Sequence, residues 1–341
     1  MNTKAMRERV VYLDVVRVLA CIMVIVQHSP MVDVVSSVLL SASAFLTYPC
    51  CPLFFMVSGA LLLPMESCSP EVFIRKRLSK VLWPTLIWTL LYFGRRIVIG
   101  DAVSLTSVLS IPFSAQGCGI LWFMYVMIGL YLITPIISPW LRGANRKEVE
   151  LFLILWGVTL LYSHIEGFLQ IATGYNNMFY YFGGYLGYFV LGYYLHHYAK
   201  VGGVKFCNVA LMLVVPIVLY GIIKYIGVEF IFSAYTSILT ASMAAAWFFL
   251  IRIVCDMFSM TAEKCPYLVT ISNLSFGIYL MHIMVRSVAW TICSWLGLVS
   301  LPQIIVASAF TFTLSCFFSL IISRMPYSQY IIGYKHKKTK H

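Results

Sequence analysis

Apolar residues run along this chain in long stretches, and polar and basic residues interrupt them at intervals. A helix crossing a hydrocarbon layer about 30 Å thick needs about 20 mostly apolar residues. Ten stretches approach that length, near 10–30, 44–64, 79–99, 119–141, 149–165, 179–197, 206–226, 233–255, 271–295 and 303–324. They predict an all-α, polytopic integral membrane bundle of about ten transmembrane helices. Gly167, Gly174, Gly183, Gly184 and Gly187 weaken the pattern in the fifth and sixth stretches. Ala42-Ser43-Ala44 resembles a signal-peptide cleavage site, but it lies well beyond the first apolar stretch, which Asp14 and Arg17 interrupt. No internal repeat or low-complexity segment stands out.

Composition strengthens the membrane reading. Of 341 residues, 61% are hydrophobic and 11% are charged, against about 25% charged in an average soluble protein. The mean hydropathy is +0.89. A disordered chain, a collagen and a disulfide-stapled secreted module are excluded. The net charge of +12 would suggest nucleic acid in a soluble protein. Here the basic residues sit between apolar runs, so they report topology and no nucleic-acid partner is expected. With an internal N-terminus, the two tails and the even-numbered loops hold nineteen of the 24 Lys and Arg. Both termini are therefore predicted to be cytoplasmic. The expected organisation is one membrane domain over 1–325 and a basic cytoplasmic tail over 326–341, with Lys335-His336-Lys337-Lys338 near anionic lipid. The ten cysteines show no metal-ligand spacing and read as small hydrophobes. A disulfide near the outer surface involving Cys118 stays open, and no metal site is expected.

Ionisable residues inside a span are functional candidates by default. The first span carries Asp14, Arg17 and His28. At 100° and 1.5 Å per residue, Arg17 and His28 lie about 20° apart around the helix and about 16 Å apart along it. Asp14 is three residues before Arg17 and is expected to pair with it and orient it. Histidine suits a general base near neutral pH, and arginine suits phosphate. A long donor with phosphates at one end and a thioester at the other, such as coenzyme A, fits the spacing. Arg75, Lys76, Arg77 and Lys80 lead into the third span, where they serve topology and are placed to collect an anionic donor. In the ninth span His282 and Arg286 are four residues apart and share a face.

These residues resemble the motifs of the membrane-bound acyltransferase family 3, bacterial integral-membrane acyltransferases, over nearly the whole chain. Leu13-Asp14 through Arg17 to His28 resembles the family's leading signature. Phe54-Phe55-Met56-Val57-Ser58-Gly59 resembles its second-span motif, with Ser58-Gly59 as a small pair at a helix contact. Phe73 to Pro84 resembles the basic entry to the third span, with Lys80 where a second arginine is more usual. Leu121-Trp122-Phe123 with Tyr125, and Ser275 to His282, resemble the fourth- and ninth-span motifs. The resemblance implies transfer of an acyl group, usually acetyl, from coenzyme A to a hydroxyl of a cell-surface or lipid-linked glycan, in the bacterial inner membrane. It implies that Arg17 and His28 are essential.

On this reading His28, Arg17 and Asp14 are the catalytic candidates, and Arg17, Arg75, Arg77 and Lys80 bind the acetyl-CoA donor. Trp122, Tyr125 and His282 face the acceptor: Trp122 as a stacking surface for a sugar, Tyr125 as one candidate donor to the developing oxyanion. Glu166, Asn176 and Asn177 in outer loops are weaker acceptor candidates. Transfer of succinyl or another acyl group is the nearest alternative. A glycan transporter or flippase, and a sensor or scaffold, are readings of a different class. A transporter often shows two related halves, and none is visible. The oligomeric state, a homo-oligomer included, stays open.

Overall fold

The computed structural model describes residues 9–29, 45–65, 69–101, 103–113, 121–169, 177–199, 206–226 and 235–336. The helices among them are α1 (Val11–Gln27), α2 (Cys50–Leu62), α3 (Pro70–Val98), α4 (Leu105–Leu109), α5 (Trp122–Gly143), α6 (Arg146–Leu169), α7 (Leu186–His197), α8 (Phe206–Ile226), α9 (Ile238–Met257), α10 (Pro266–Trp295), α11 (Ser300–Arg324) and α12 (Ser328–Ile331). Leaving aside the short α4 and α12, each of the others occupies one of the predicted apolar stretches, in order. Five segments, Phe45–Leu62, Trp122–Gly143, Ile238–Met257, Pro266–Trp295 and Leu301–Arg324, are long and apolar enough to cross a membrane by themselves. Large apolar side chains such as Val98, Ile136, Leu151 and Val214 are exposed on the outside of the bundle. The protein is an all-helical membrane protein.

Local chemistry explains where the helices depart from the predicted stretches. The third begins nine residues early because Ser69 accepts from the Val72 N–H at 3.4 Å and Pro70 opens the first turn. The basic run Arg75–Lys80 therefore lies on α3 itself. The sixth is shortened to twelve residues. A 3₁₀ turn at Tyr180–Phe182 precedes it, and Gly184 takes a φ of +83°, which ends regular helix there.

Glycine permits a close contact between α2 and α7. A Cβ on Gly59 would lie 1.8 Å from the Phe189 carbonyl oxygen, and one on Gly192 would lie 2.0 Å from that of Met56. The backbones of α2 and α7 touch at this crossing, which small residues alone permit. Its neighbour Ser58 lines a cavity instead.

Helix directions follow from paired contacts. Arg17 meets Ser272, Cys21 meets the Ser275 carbonyl and His28 meets His282, so α1 and α10 run parallel. The α10–α11 pair is an antiparallel hairpin: Gln303 bonds Ser294 at 2.7 Å near the turn, and Ser319 meets Met281 further along. At the other end of the bundle, Tyr12 at the start of α1 bonds His196 at the end of α7 at 2.5 Å. Arg252 of α9 stacks over the Tyr12 ring and caps the end of α7 by donating to the Leu195 and Ala199 carbonyls.

The basic tail expected over 326–341 is described as far as residue 336. Residues 326–336 fold back against α3, α10 and α11: Trp88 donates to the Ile331 carbonyl at 2.9 Å, and Ile332 is fully buried. Lys337, Lys338 and Lys340 lie outside the described residues. Eight cysteines of the described residues are free thiols, five of them buried, while Cys118 lies outside those residues.

Candidate functional site

The parallel pair α1–α10 carries the site along its length. At its N-terminal end, Asp14 is buried and its carboxylate accepts from Arg9 at 2.7 and 2.8 Å and from the Ser272 hydroxyl at 2.6 Å. Arg9 also reaches Asn273 at 3.0 Å. The hydrogen bond to Asp14 holds the Arg9 guanidinium above its ordinary pKa. The expected Asp14–Arg17 pair does not form. The preceding turn brings in a second arginine, and the two-pronged contact with Arg9 occupies both carboxylate oxygens. The hydrogen-bonded link between Arg17 and Asp14 runs through Ser272, whose hydroxyl accepts from Arg17 Nη1 at 3.4 Å and donates to Asp14.

Arg17 is thus left without a carboxylate within 4 Å among the described residues. It faces a cavity of about 310 Å³. Ser58, Lys80, Tyr131, Ser275, Tyr279 and Tyr334 are among the side chains around it. A permanent cation with no carboxylate close by among the described residues, a second cation at the rim and several hydroxyls make a site for an anion. Of the three predicted basic residues on α3, Lys80 lines this cavity. Arg77 lies over the Phe73 ring at 5.8 Å, and Arg75 is exposed. Neither is in the cavity wall.

Tyr279 leads away from the cavity toward the other end of α10. Its ring centroid is 5.4 Å from that of His282, and the His282 ring meets His28 edge to face at 5.1 Å. His28 sits at the C-terminal end of α1 and donates from Nδ1 to the Val24 carbonyl at 2.9 Å. A carbonyl only accepts, so Nδ1 carries the proton and Nε2 of the neutral ring holds a lone pair. His282 has the same arrangement, with Nδ1 on the Tyr279 carbonyl. Its Nε2 is buried with no hydrogen-bond partner among the described residues. The two rings form a pair of bases held in one tautomer by the backbone.

Arg286 completes this end. It donates to the His28 carbonyl and so caps the C-terminus of α1. Sequence reasoning placed Arg286 beside His282 but did not find this contact, nor the role of Tyr279 as the link between cavity and histidines. The i, i+3 and i, i+4 spacing of Tyr279, His282 and Arg286 puts the three on one face of α10 but does not say what that face meets.

The remaining predicted residues are placed elsewhere. Trp122 packs between Tyr185 and Tyr235, at 5.5 and 5.1 Å. Tyr125 donates its hydroxyl to the Ile111 carbonyl at 2.6 Å, which commits the proton expected to serve an oxyanion. Asn177 lines a separate cleft near Tyr162 and Tyr180. Asn176 and the side chain of Glu166 lie outside the described residues.

No curated protein matches the chain, and no solved structure does. A family model described as an acyltransferase domain matches residues 10–323, nearly the whole chain. That stretch contains Arg17, Lys80, Tyr279 and both histidines, and the chain belongs to acyltransferase family 3.

Proposed function

We propose that this acyltransferase moves an acyl group, in the first instance acetyl, from acyl-CoA to a sugar hydroxyl of a cell-surface or lipid-linked glycan. The observation that carries the reading is the His28–His282 pair, with both Nδ1 protons held by carbonyls, on the same α1–α10 pair as Arg17, which has no carboxylate within 4 Å among the described residues. The separation of Arg17 and His28 along α1, about 16 Å by helical rise, suits a donor whose phosphates sit at Arg17 and Lys80 and whose thioester reaches the histidines.

The steps follow from the groups present. His28 Nε2 takes the proton of the acceptor hydroxyl as its oxygen attacks the thioester carbonyl. The new C–O bond forms, the C–S bond breaks, and coenzyme A leaves as a thiolate. The imidazolium returns its proton to that sulfur, so His28 ends the cycle neutral. Arg286, by holding the His28 carbonyl, keeps the ring in line. His282 stands beside the imidazolium as a second base. Asp14 acts at one remove, pairing with Arg9 and fixing Ser272 in the cavity wall.

The topology we infer is ten crossings with both termini in the cytoplasm of a bacterial inner membrane. The parallel run of α1 and α10 and the meeting of the α1 start with the α7 end support it, because both are what crossings that alternate in this order would give. The donor cavity then faces the cytoplasm and the histidine pair lies toward the outside. Acylation of the surface glycan, read by mass spectrometry of polysaccharide from cells carrying His28→Ala in place of the wild type, tests the reading. Loss of the acyl group with the protein still folded in the membrane is expected. An unchanged level of acylation contradicts it.

A further inference from the structure

The family match ends at residue 323, yet the chain comes back to the site beyond it. After α11, the Ser328 hydroxyl donates to the Ser323 carbonyl at 3.2 Å, and Trp88 of α3 donates to the Ile331 carbonyl at 2.9 Å. Ile332 is fully buried next to Gly277 of α10. Gly333 then threads between two helices. A Cβ there would lie 2.4 Å from the Phe276 ring and 2.9 Å from the Lys80 carbonyl oxygen. Its φ of +68° is one that glycine adopts without steric cost. The His336 N–H closes back on the Ser323 carbonyl at 3.0 Å. A tail that served only as a basic anchor would need neither the buried isoleucine nor the glycine fitted to this gap.

Ile332, Gly333 and Tyr334 consequently form one wall of the cavity that holds Arg17 and Lys80. Tyr334 also lies close enough to Arg9 for the two side chains to interact electrostatically. We infer that this C-terminal strap is part of the donor site, with Tyr334 a binding residue for the anionic end of the acyl donor. The inference rests on the reading of this cavity as the donor site. A phenol supplies a neutral hydrogen-bond donor beside two cations, so it can bind a phosphate oxygen without adding to their mutual repulsion. The strap also covers the cavity on its tail side, which limits the water that would screen Arg17.

Coenzyme A binding to the full-length protein in detergent, measured by calorimetry and paired with acetyl-CoA kinetics, tests the inference. Tyr334→Phe, which removes the hydroxyl and keeps the ring, is expected to weaken coenzyme A binding about tenfold, the loss of one hydrogen bond to a charged group. The KM for acetyl-CoA rises in step while kcat and thermal stability stay near wild type. Gly333→Ala, which pushes the strap off Phe276 and Lys80, gives a loss at least as large. Wild-type affinity in both variants, with affinity lost in Arg17→Ala, overturns the role of the strap and leaves the cavity as the donor site. Wild-type affinity in Arg17→Ala as well overturns the cavity reading and the strap with it.

Discussion

Removing the Asp14 carboxylate separates the observed charge network from the one that sequence spacing suggests. Asp14 accepts two bonds from Arg9 and one from Ser272, and its side chain is 7% exposed. Breaking a fully buried ion pair by removing one partner costs about 3–5 kcal/mol. The Arg9 side chain is 37% exposed, so water screens and re-solvates it, and the expected cost of Asp14→Asn falls to about 2 kcal/mol. The stronger test is the coupling. In a double-mutant cycle, Asp14→Asn with Arg9→Gln should show an interaction of about 1–2 kcal/mol. Asp14→Asn with Arg17→Gln should show less, because the ion pair is made with Arg9 and the hydrogen-bonded link to Arg17 runs through Ser272. Equilibrium unfolding in mixed micelles, titrated with a denaturing detergent, measures each corner of the cycle. A coupling to Arg17 larger than the coupling to Arg9 refutes the reasoning.

Other substitutions probe the packing and the far end of the site. Gly59→Ala places a methyl group on the Phe189 carbonyl oxygen and should sharply reduce the yield of monodisperse protein, whereas Gly129→Ala, at an open position, should leave the elution profile unchanged. Arg286→Ala releases the cap on the His28 carbonyl. Its kcat should fall by about tenfold or more through misplacement of the ring, with coenzyme A affinity retained in the same calorimetric assay. Tyr125→Phe removes a bond to Ile111, so it should lower stability by about 1 kcal/mol and leave the acyl-transfer rate within twofold of wild type.

The bundle was readable in the sequence because lipid imposes a length on each apolar stretch, and the ten stretches hold helices in the predicted order. What shifted was set by local signals that hydropathy does not weigh. Ser69-Pro70 starts α3 early, and Gly183-Gly184 shortens α7. The shared face of Arg17 and His28 was likewise visible, since helical angle is a property of spacing alone. Pairing was harder to read. Asp14 has arginines within reach on both sides, at Arg9 and Arg17, and geometry in the folded bundle chose Arg9. Lys80 was grouped with Arg75 and Arg77 by charge, yet it alone of the three lines the cavity. The contact between Arg286 and the His28 carbonyl, and the return of Ile332–Tyr334 to the Arg17 cavity, join residues far apart in the chain. Neither leaves a periodic trace.

The most direct measurement is acyl transfer by the purified protein in lipid vesicles, with radiolabelled acetyl-CoA and extracted lipid-linked glycan as acceptor, comparing wild type with His28→Ala. The account predicts labelled glycan with the wild type and none above background with His28→Ala, while both proteins bind coenzyme A equally. Equal labelling by the two proteins would contradict the assignment of His28 as the base.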